Sequence, residues 1–518
     1  MKAQRSSKPR PAPITPALCG CLGTALALAV LPALGQSAAS PPQLFISSSF
    51  TASETYTDTQ RDSGFSGGEF VTVLTPAVRI SGRVGPITGS FDYSLSALYY
   101  SENSQANRVA SNAQNGLNTA FTLTPIDNFA FVDVRASVGQ QQISPFGQQS
   151  VSNNISQANP NRTEVSTLSV SPYLRGAFDG VMRYEARVEA VRTDARNSNA
   201  SDSSSTTASL TLASPSSGAV LGWSLAATNQ RVDFRAGRKT DSDRLTATLT
   251  ARPLYDLQLS LSGGRESTDV GSASGRRSNN TWGWGARWTP TDRTNISYLN
   301  DRRYFGNSHN IAFEHRMPRT VWRYTDIRDT TGGEPNGVGR PVTLYELYFA
   351  QFASLQPDPL LREQLVLSYL RGIGANPSDT VGGGLLTTAV TLQRRQDLSV
   401  ALQGLRTNLS LQAFSTQSRV LDAGALGPGN EPVTQRGYNG NLSYRLTPTS
   451  SLSLNGAQQK TLSTATRRGN DLKSVSLNLT SQASRTASTS LSARYAVFNS
   501  DTNAYRDTSI AASVRFQF

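Results

Sequence analysis

The chain ends in the ten residues SIAASVRFQF (509–518), in which apolar side chains occupy every second position. The apolar series is Ile510, Ala512, Val514, Phe516 and Phe518, and the residues between them are mostly Ser, Arg and Gln. Because successive side chains of a strand point to opposite faces, this stretch predicts a β-strand with one apolar and one wetter face.

A final strand that ends on Phe is similar to the segment by which the barrel-assembly machinery recognises outer-membrane proteins. Ile510, Val514, Phe516 and Phe518 are the residues predicted to form that signal. The alternative is an ordinary edge strand that happens to end in Phe.

The same alternation recurs along the chain from residue 43 onward. Leu245, Ala247 and Leu249 alternate with threonines, and Leu257, Leu259 with Gln and Ser. Many of these predicted strands run to about ten to fourteen residues, the length of tilted membrane-spanning strands, whereas strands of soluble proteins average about five or six. An unpaired strand edge cannot persist in lipid, so such strands must close into a barrel. A soluble β-sandwich is the alternative.

Turn residues divide the strands in a regular way. Short Pro-containing turns, such as 125–128 and 448–450, alternate with long polar links, such as 102–116 and 144–161. Outer-membrane barrels combine short periplasmic turns with long outward loops. We therefore predict an all-β fold, a large antiparallel transmembrane barrel of about 22 strands (range about 16–24), with both chain ends in the periplasm.

Residues 1–35 have the layout of a secretory signal peptide. Four basic residues precede the apolar run Ala17–Leu31, and small residues at Ala33 and Gly35 precede the expected cleavage. The alternative is an N-terminal membrane anchor. These 35 residues hold both cysteines and four of the 49 lysines and arginines. The predicted mature chain, residues 36–518, therefore has 45 basic and 36 acidic residues, a net charge of +9.

Composition excludes several classes of protein. Two cysteines cannot form a disulfide scaffold or a cysteine-rich zinc module, and two histidines cannot form a His-rich metal site. Beyond the N-terminus, no apolar run approaches the ~20 residues that a membrane helix needs. We predict no metal and no cofactor. The dispersed charge and the export signal argue against nucleic acid as a partner.

One segment, about 342–374, breaks the β pattern and predicts two short helices within an outward loop. Asp358 is a plausible N-cap before Pro359 at the first helical position, and Gly372 is a plausible stop. The segment either folds into the lumen as a plug, lies across the mouth, or packs only locally. The candidate plug residues are Leu344, Leu361, Leu365 and Ile373.

Several stretches resemble the outer-membrane proteins associated with the PEP-CTERM (exosortase) protein-sorting system of Gram-negative bacteria. They are Asp92–Tyr100, Ile143–Ser150, Asn161–Val165, Ser169–Gly176, Arg302–Ser308, Phe313–Arg316, Arg319–Trp322 and the terminal Phe518. The likeness runs along nearly the whole predicted mature chain. It implies an outer-membrane β-barrel encoded near exopolysaccharide genes, with a role in polysaccharide production, export or biofilm-associated sorting. It carries over no catalytic or binding residue.

An enzymatic site would need His309 or His315 as its base. Glu314 and His315 are adjacent and so point to opposite faces of a strand, and no GxSxG motif is present. We therefore predict that the protein is not an enzyme.

The basic excess is almost entirely arginine. The candidate lumen or rim cluster is Arg302, Arg303, Arg316, Arg319, Arg394 and Arg395. Unpaired arginine in a wet lumen would favour anions such as acidic polysaccharide, whereas arginine paired with lumenal carboxylates would not. Arg302 and Arg303 cannot both face inward in a regular strand.

Two functions remain for the predicted barrel besides the disfavoured enzyme. The first is a conduit or export-complex component in the outer membrane, with polysaccharide and periplasmic export proteins as partners. The second is a plugged structural or docking barrel that holds surface polymer or recruits periplasmic machinery. In both, the barrel contacts outer-membrane lipid.

Overall fold

The computed structural model describes most of the chain from residue 43 to residue 518. It leaves out residues 62–65, 102–112, 152–158, 197–201, 216–219, 236–238, 273–274, 332–341, 344, 346–347, 350–351, 353–358, 373–379, 382–388 and 422–430. The predicted signal peptide lies outside the described residues.

Strands of 10 to 19 residues make up the wall. They are β1 (Gln43–Arg61), β2 (Ser66–Val84), β3 (Ile87–Tyr100), β4 (Ala113–Ile126), β5 (Ala130–Gln142), β6 (Arg162–Phe178), β7 (Met182–Ala195), β8 (Ser203–Ala213), β9 (Leu221–Phe234), β10 (Lys239–Leu254), β11 (Leu257–Thr268), β12 (Arg277–Thr291), β13 (Thr294–Arg303), β14 (Gly306–Arg316), β15 (Thr320–Thr331), β18 (Thr391–Gln403), β19 (Thr407–Val420), β20 (Val433–Arg445), β21 (Ser450–Thr461), β22 (Asn470–Gln482), β23 (Ala487–Asn499) and β24 (Tyr505–Gln517). The loop between β15 and β18 contains a separate two-stranded pair, β16 (Val342–Thr343) and β17 (Thr380–Val381), and helix α1 (Pro359–Gly372).

The 22 wall strands form one closed antiparallel ring. Each strand pairs with its neighbours in the chain, and β1 also pairs with β24, where Phe50 lies opposite Phe516 and Ala52 opposite Val514. Every strand therefore has two partners and the sheet has no free edge, which is the condition for a β-structure in lipid. The predicted fold class and strand number are confirmed.

The two faces of the wall differ in polarity as the alternation predicts. Outward side chains are mostly apolar and exposed, including Leu249 at 68% and Ile510 at 55%, whereas inward positions are mostly polar, and Ser453 and Asp507 are fully buried. Exposed apolar surface costs about 25 cal/mol per Å² in water. Lipid removes this cost, so the exterior is suited to a bilayer and the interior to water.

The two ends of the barrel also differ. The start of β1, the end of β24 and the short turns, such as Tyr255–Asp256 and Asp292–Arg293, lie at one end of the barrel. Most of the long connections lie at the other end. We call these the short-turn end and the long-loop end. The exception is the β13–β14 connection at the long-loop end, which is only Tyr304–Phe305. Gly306 follows it with φ of 105°, a backbone conformation that favours glycine.

No helix in the described part of the chain is both long enough and apolar enough to cross a membrane.

Candidate functional site

Helix α1 begins and ends where the sequence predicts. Proline suits the first helical position because its missing N–H has no intrahelical partner there, and Pro359 occupies it. The helix ends at Gly372. The predicted N-cap, Asp358, lies outside the described residues.

Helix α1 lies inside the barrel. Glu363 forms an ion pair with Arg79, which shares the inward face of β2 with the buried Val71 and Val73. The hydroxyl of Tyr369 donates a 2.7 Å hydrogen bond to the side-chain oxygen of Asn441, a buried inward residue of β20. These contacts lie on well-separated strands, so the helix bridges the lumen.

The loop descends deep into the barrel from the end at which it leaves the wall. The hydroxyls of Tyr348 and Ser410 are 3.2 Å apart, and Ser410 is close to the start of β19 at the short-turn end. Arg79 and Asn441 also belong to the short-turn halves of their strands. The loop that starts after Thr331, at the opposite end, therefore occupies the lumen over much of its depth.

The lumenal loop has a small apolar core of its own. Val366 and Leu370 of α1 are fully buried and pack with Tyr348 and Phe352. The ring of Tyr369 lies 4.8 Å from that of Tyr348 and 5.2 Å from that of Phe352, centre to centre. Burial raises the pKa of the Tyr348 and Tyr369 phenols above the ordinary tyrosine value, so both act as neutral hydrogen-bonding groups.

Of the four predicted plug residues, only the side chain of Leu365 lies within the described residues, and it is not part of this core. Leu365 is 36% exposed, the side chain of Leu361 is outside the described residues, and so are Leu344 and Ile373. A missed signal was present in the sequence. Aromatic residues recur at positions 345, 348, 349 and 352, the spacing of one helical face, and they form the core with α1.

A second loop crosses the long-loop end. The carbonyl oxygen of Pro145, between β5 and β6, accepts hydrogen bonds from Thr461 of β21 at 3.0 Å and from Asn470 of β22 at 2.9 Å. The hydroxyl of Tyr505 in β24 donates a 2.7 Å bond to the carbonyl of Gln149. We call residues 143–151 the crossing loop. It contains the stretch Ile143–Ser150, one of those behind the family resemblance.

Three of the six candidate arginines face the lumen, and each has a carboxylate partner. Arg303 bridges the buried Glu266 of β11 and Asp329 of β15, with both N–O distances at 2.5 Å. Arg395 pairs with Asp397 at 2.6 Å, and Arg316 pairs with Glu314. These charges are neutralised within the wall, so they do not make an anion-selective lining.

The other three candidates do not reach the lumen. Arg302 and Arg394 point outward because each follows the outward register of its strand, and Arg319 is exposed in the β14–β15 turn. Arg394 pairs at 2.6 Å with Asp326, which is also outward but covered by its neighbours. The six arginines therefore belong to separate places and do not form one cluster.

The two histidines also lie apart. His309 Nε2 is 3.1 Å from Asp326, and His315 Nδ1 is 2.8 Å from the hydroxyl of Thr294. Ser308, adjacent to His309, points inward and donates to the carbonyl of Arg328. A hydroxyl on the opposite face of the strand cannot complete a nucleophile–base pair with His309. Within the described residues, no three His, Cys, Asp or Glu side chains are grouped as a metal ion would require.

A closed ring of strands, an apolar exterior and a polar interior that holds its own loop together define the class, a large transmembrane β-barrel with an occupied lumen. No family model matches the chain, and no curated relative matches it. Solved structures of similar fold include the FrpB iron transporter from Neisseria meningitidis (F5-1 variant). It is 12% identical, with 90% of this chain and 82% of that chain covered and a TM-score of 0.45.

Two further solved structures are similar in fold. The ferric enterobactin receptor PfeA (a mutant) from Pseudomonas aeruginosa is 10% identical, with coverage of 90% and 80% and a TM-score of 0.43. OccK2 (OpdF) from Pseudomonas aeruginosa is 11% identical, with coverage of 91% and 98% and a TM-score of 0.31.

Proposed function

We propose that this protein is a conduit in the bacterial outer membrane that is closed at rest by its own β15–β18 loop. The observation that carries the proposal is the lumenal position of α1, which is held to β2 and β20 through polar contacts of Glu363 and Tyr369. A 22-stranded ring encloses a lumen wide enough to need a plug, because lumen width grows with strand number.

The loop is built to move as a unit. In the part of the loop that the structure describes, Val366, Leu370 and Phe352 pack together, and Tyr348, Glu363 and Tyr369 reach the wall through hydrogen bonds and an ion pair. The apolar contact with the wall is at the end of the loop, where Val390 packs against Val232 and Phe234 of β9. Water can replace polar contacts at little net cost, since a typical hydrogen bond contributes only about 0.5–1.5 kcal/mol. Displacing the loop therefore leaves its own core buried, which suits a gate.

The cargo we propose is extracellular polysaccharide or a related hydrophilic polymer. The support is the resemblance to PEP-CTERM-associated outer-membrane proteins and the many inward Ser, Thr, Asn and Gln side chains, such as Ser453, Thr461 and Asn441. Because the three candidate arginines that face the lumen are paired, we favour recognition by hydroxyl and amide groups over selection for anions. Periplasmic export proteins would supply the cargo.

Biogenesis follows the same proposal. Residues 1–35 would direct export and be removed, and the barrel-assembly machinery would read the last strand. Ile510, Val514 and Phe516 are exposed on its outward face, and Phe518 follows them with its side chain 75% exposed. They are available to a partner before the barrel closes.

Conductance across planar bilayers tests the gate. We expect the purified wild-type barrel to be closed or nearly so, and a variant in which 344–379 is replaced by a short Gly-Ser linker to show large, stable openings. Leaving β16 and β17 in place preserves the base of the loop. An unchanged conductance from a correctly inserted variant would contradict the gate and favour the second candidate, a permanently filled docking barrel.

Cargo is tested in cells. We expect deletion of the gene to trap polysaccharide in the periplasm and reduce it at the surface, and the wild-type chain to restore export. A variant with His309→Ala and His315→Ala should restore it equally well, since neither histidine has a role in the proposal. Surface polymer at wild-type levels in the deletion strain would reject the proposed cargo.

A further inference from the structure

The outward face of the wall carries an unusual charge arrangement at the long-loop end. On β15 and β18, Arg328 lies directly opposite Arg394. On β20 and β21, Arg436 lies directly opposite Lys460, and both side chains are exposed. Like charges directly opposite each other in neighbouring strands destabilise a sheet, so these pairs need a compensating anion.

The protein itself supplies little of that anion. Asp326 pairs with Arg394. Asp471 of β22 lies opposite Lys460, but its ion pair is with Lys473, at 3.4 Å. Arg328, Arg436 and Lys460 form no ion pair within the part of the chain that the structure describes. We call Arg328, Arg394, Arg436 and Lys460 the rim cations.

Another arc of the same rim, on β9 and β10, does not have facing charges of like sign. On β9 and β10, Arg231 lies opposite Asp241 and Asp233 lies opposite Lys239, with N–O distances of 3.1 and 2.8 Å. There the facing charges are of unlike sign and satisfy each other. The rim is therefore balanced on one arc and cationic on the other.

The rim cations lie just beyond the apolar belt. Along the outward face of β20, Tyr444, Leu442 and Tyr438 are exposed in sequence, and Arg436 comes next toward the long-loop end. Tyrosine is enriched at membrane–water interfaces. Arg436 is thus at the level of lipid headgroups, directly above the surface that acyl chains cover.

We propose that the rim cations bind the phosphate groups of a phosphorylated glycolipid in the leaflet at the long-loop end. Its acyl chains would lie on the belt below Tyr438, and its phosphates would bridge the facing cations of β15, β18, β20 and β21. Phosphate accepts bidentate hydrogen bonds from arginine, and one phosphate placed between Arg436 and Lys460 removes their repulsion.

Binding of lipid A to the intact barrel in detergent micelles tests the proposal, with EDTA present so that divalent cations form no bridges. The probes are lipid A with both phosphates and the same lipid with its phosphates removed. Because the variant removes two cations that attract the anionic headgroup, we expect Arg436→Gln/Lys460→Gln to weaken binding of the phosphorylated probe at least about tenfold. The dephosphorylated probe should bind both proteins equally weakly.

The matched control is Arg231→Gln/Lys239→Gln, which removes the two outward cations of the balanced arc that are already paired with Asp241 and Asp233. Its affinity should stay within about twofold of wild type. Equal affinity of the two double variants, or no preference of the wild type for the phosphorylated probe, would overturn the proposal. So would displacement of the lipid by inorganic phosphate at equal concentration, because the site would then recognise the free anion. Conductance should be unchanged in both double variants, which keeps this test separate from that of the gate.

Discussion

Arg302 and Arg303 are neighbours in the chain but occupy opposite electrostatic environments. Arg303 points into the barrel and is held by Glu266 and Asp329. Arg302 points outward, is exposed, and forms no ion pair with any residue that the structure describes. The difference teaches that an inward arginine such as Arg303 stabilises the barrel itself, while an outward one such as Arg302 is left for groups outside the protein.

The largest expected effect tests the inward half of this contrast. Arg303→Ala leaves Glu266 buried and without its ion-pair partner, so we expect the free energy of unfolding to fall by about 3–5 kcal/mol. Denaturant unfolding in lipid vesicles, followed by tryptophan fluorescence, measures it. Arg302→Ala is the control and should change stability by less than about 0.5 kcal/mol. Equal losses in the two variants would remove the contrast.

Asp326 sharpens the comparison because it faces outward and yet is covered. It accepts hydrogen bonds from Arg394 at 2.6 Å and from Gln396 at 2.9 Å. Asp326→Ala should cost about 2 kcal/mol of unfolding free energy, since hydrogen bonds to charged groups contribute about 1.5–3 kcal/mol. The same unfolding assay applies. A neutral result would mean that Arg394 finds an external anion as readily as Asp326.

The ion pair of Arg79 with Glu363 links the wall to the lumenal loop. We expect Glu363→Gln to shift the closed–open equilibrium toward open by about fivefold, equivalent to ~1 kcal/mol for a partly exposed pair. Open probability in single-channel records measures the shift. The swapped pair Arg79→Glu/Glu363→Arg should recover most of the closure. Equal open probability in Glu363→Gln and wild type would remove this contact from the gate.

The smallest effect is a pH dependence of closure. The pKa values of Tyr348 and Tyr369 are raised by burial, so the closed state keeps both phenols protonated. In a displaced loop they would ionise near the ordinary value of about 10. Closure is therefore fully stable below pH 10 and weakens as pH rises above it. Open probability should increase between about pH 9.5 and 11 in wild type, and Tyr348→Phe/Tyr369→Phe should lack this increase.

The wall could be read from the sequence because its pattern is local. Each outward stripe, such as Leu245 to Leu249, requires only period-two alternation. Because the outward face contacts lipid, its side chains are apolar along the strand, and this makes the face recognisable in the sequence. The family resemblance did not predict any contact between residues of the wall. The strand number followed from counting the turns. The two-residue turn Tyr304–Phe305 departs from the pattern, because it is short although it lies at the long-loop end.

The lumenal site could be read only in part. The bounds of α1 follow from local chemistry at Pro359 and Gly372, but its ion pair joins residues 284 positions apart, which no local pattern specifies. Whether each arginine points into the lumen or outward depends on the register of its strand. One residue decides whether Arg394 or Arg395 meets the lumen, and sequence alternation is weakest where charged residues adjoin.

The seam between β1 and β24 has a consequence for how the molecule is made. Every other backbone pairing of the wall joins strands that follow one another along the chain, whereas at this seam Arg515 donates a hydrogen bond to Ser49 across 466 positions, at 3.0 Å. Contacts this distant in sequence form late, because the intervening chain must first be ordered. Until then the sheet is open and has two edge strands, β1 and β24, whose backbone N–H and C=O groups are unpaired. During biogenesis, pairing of β1 with β24 therefore competes with pairing of either strand to a different polypeptide.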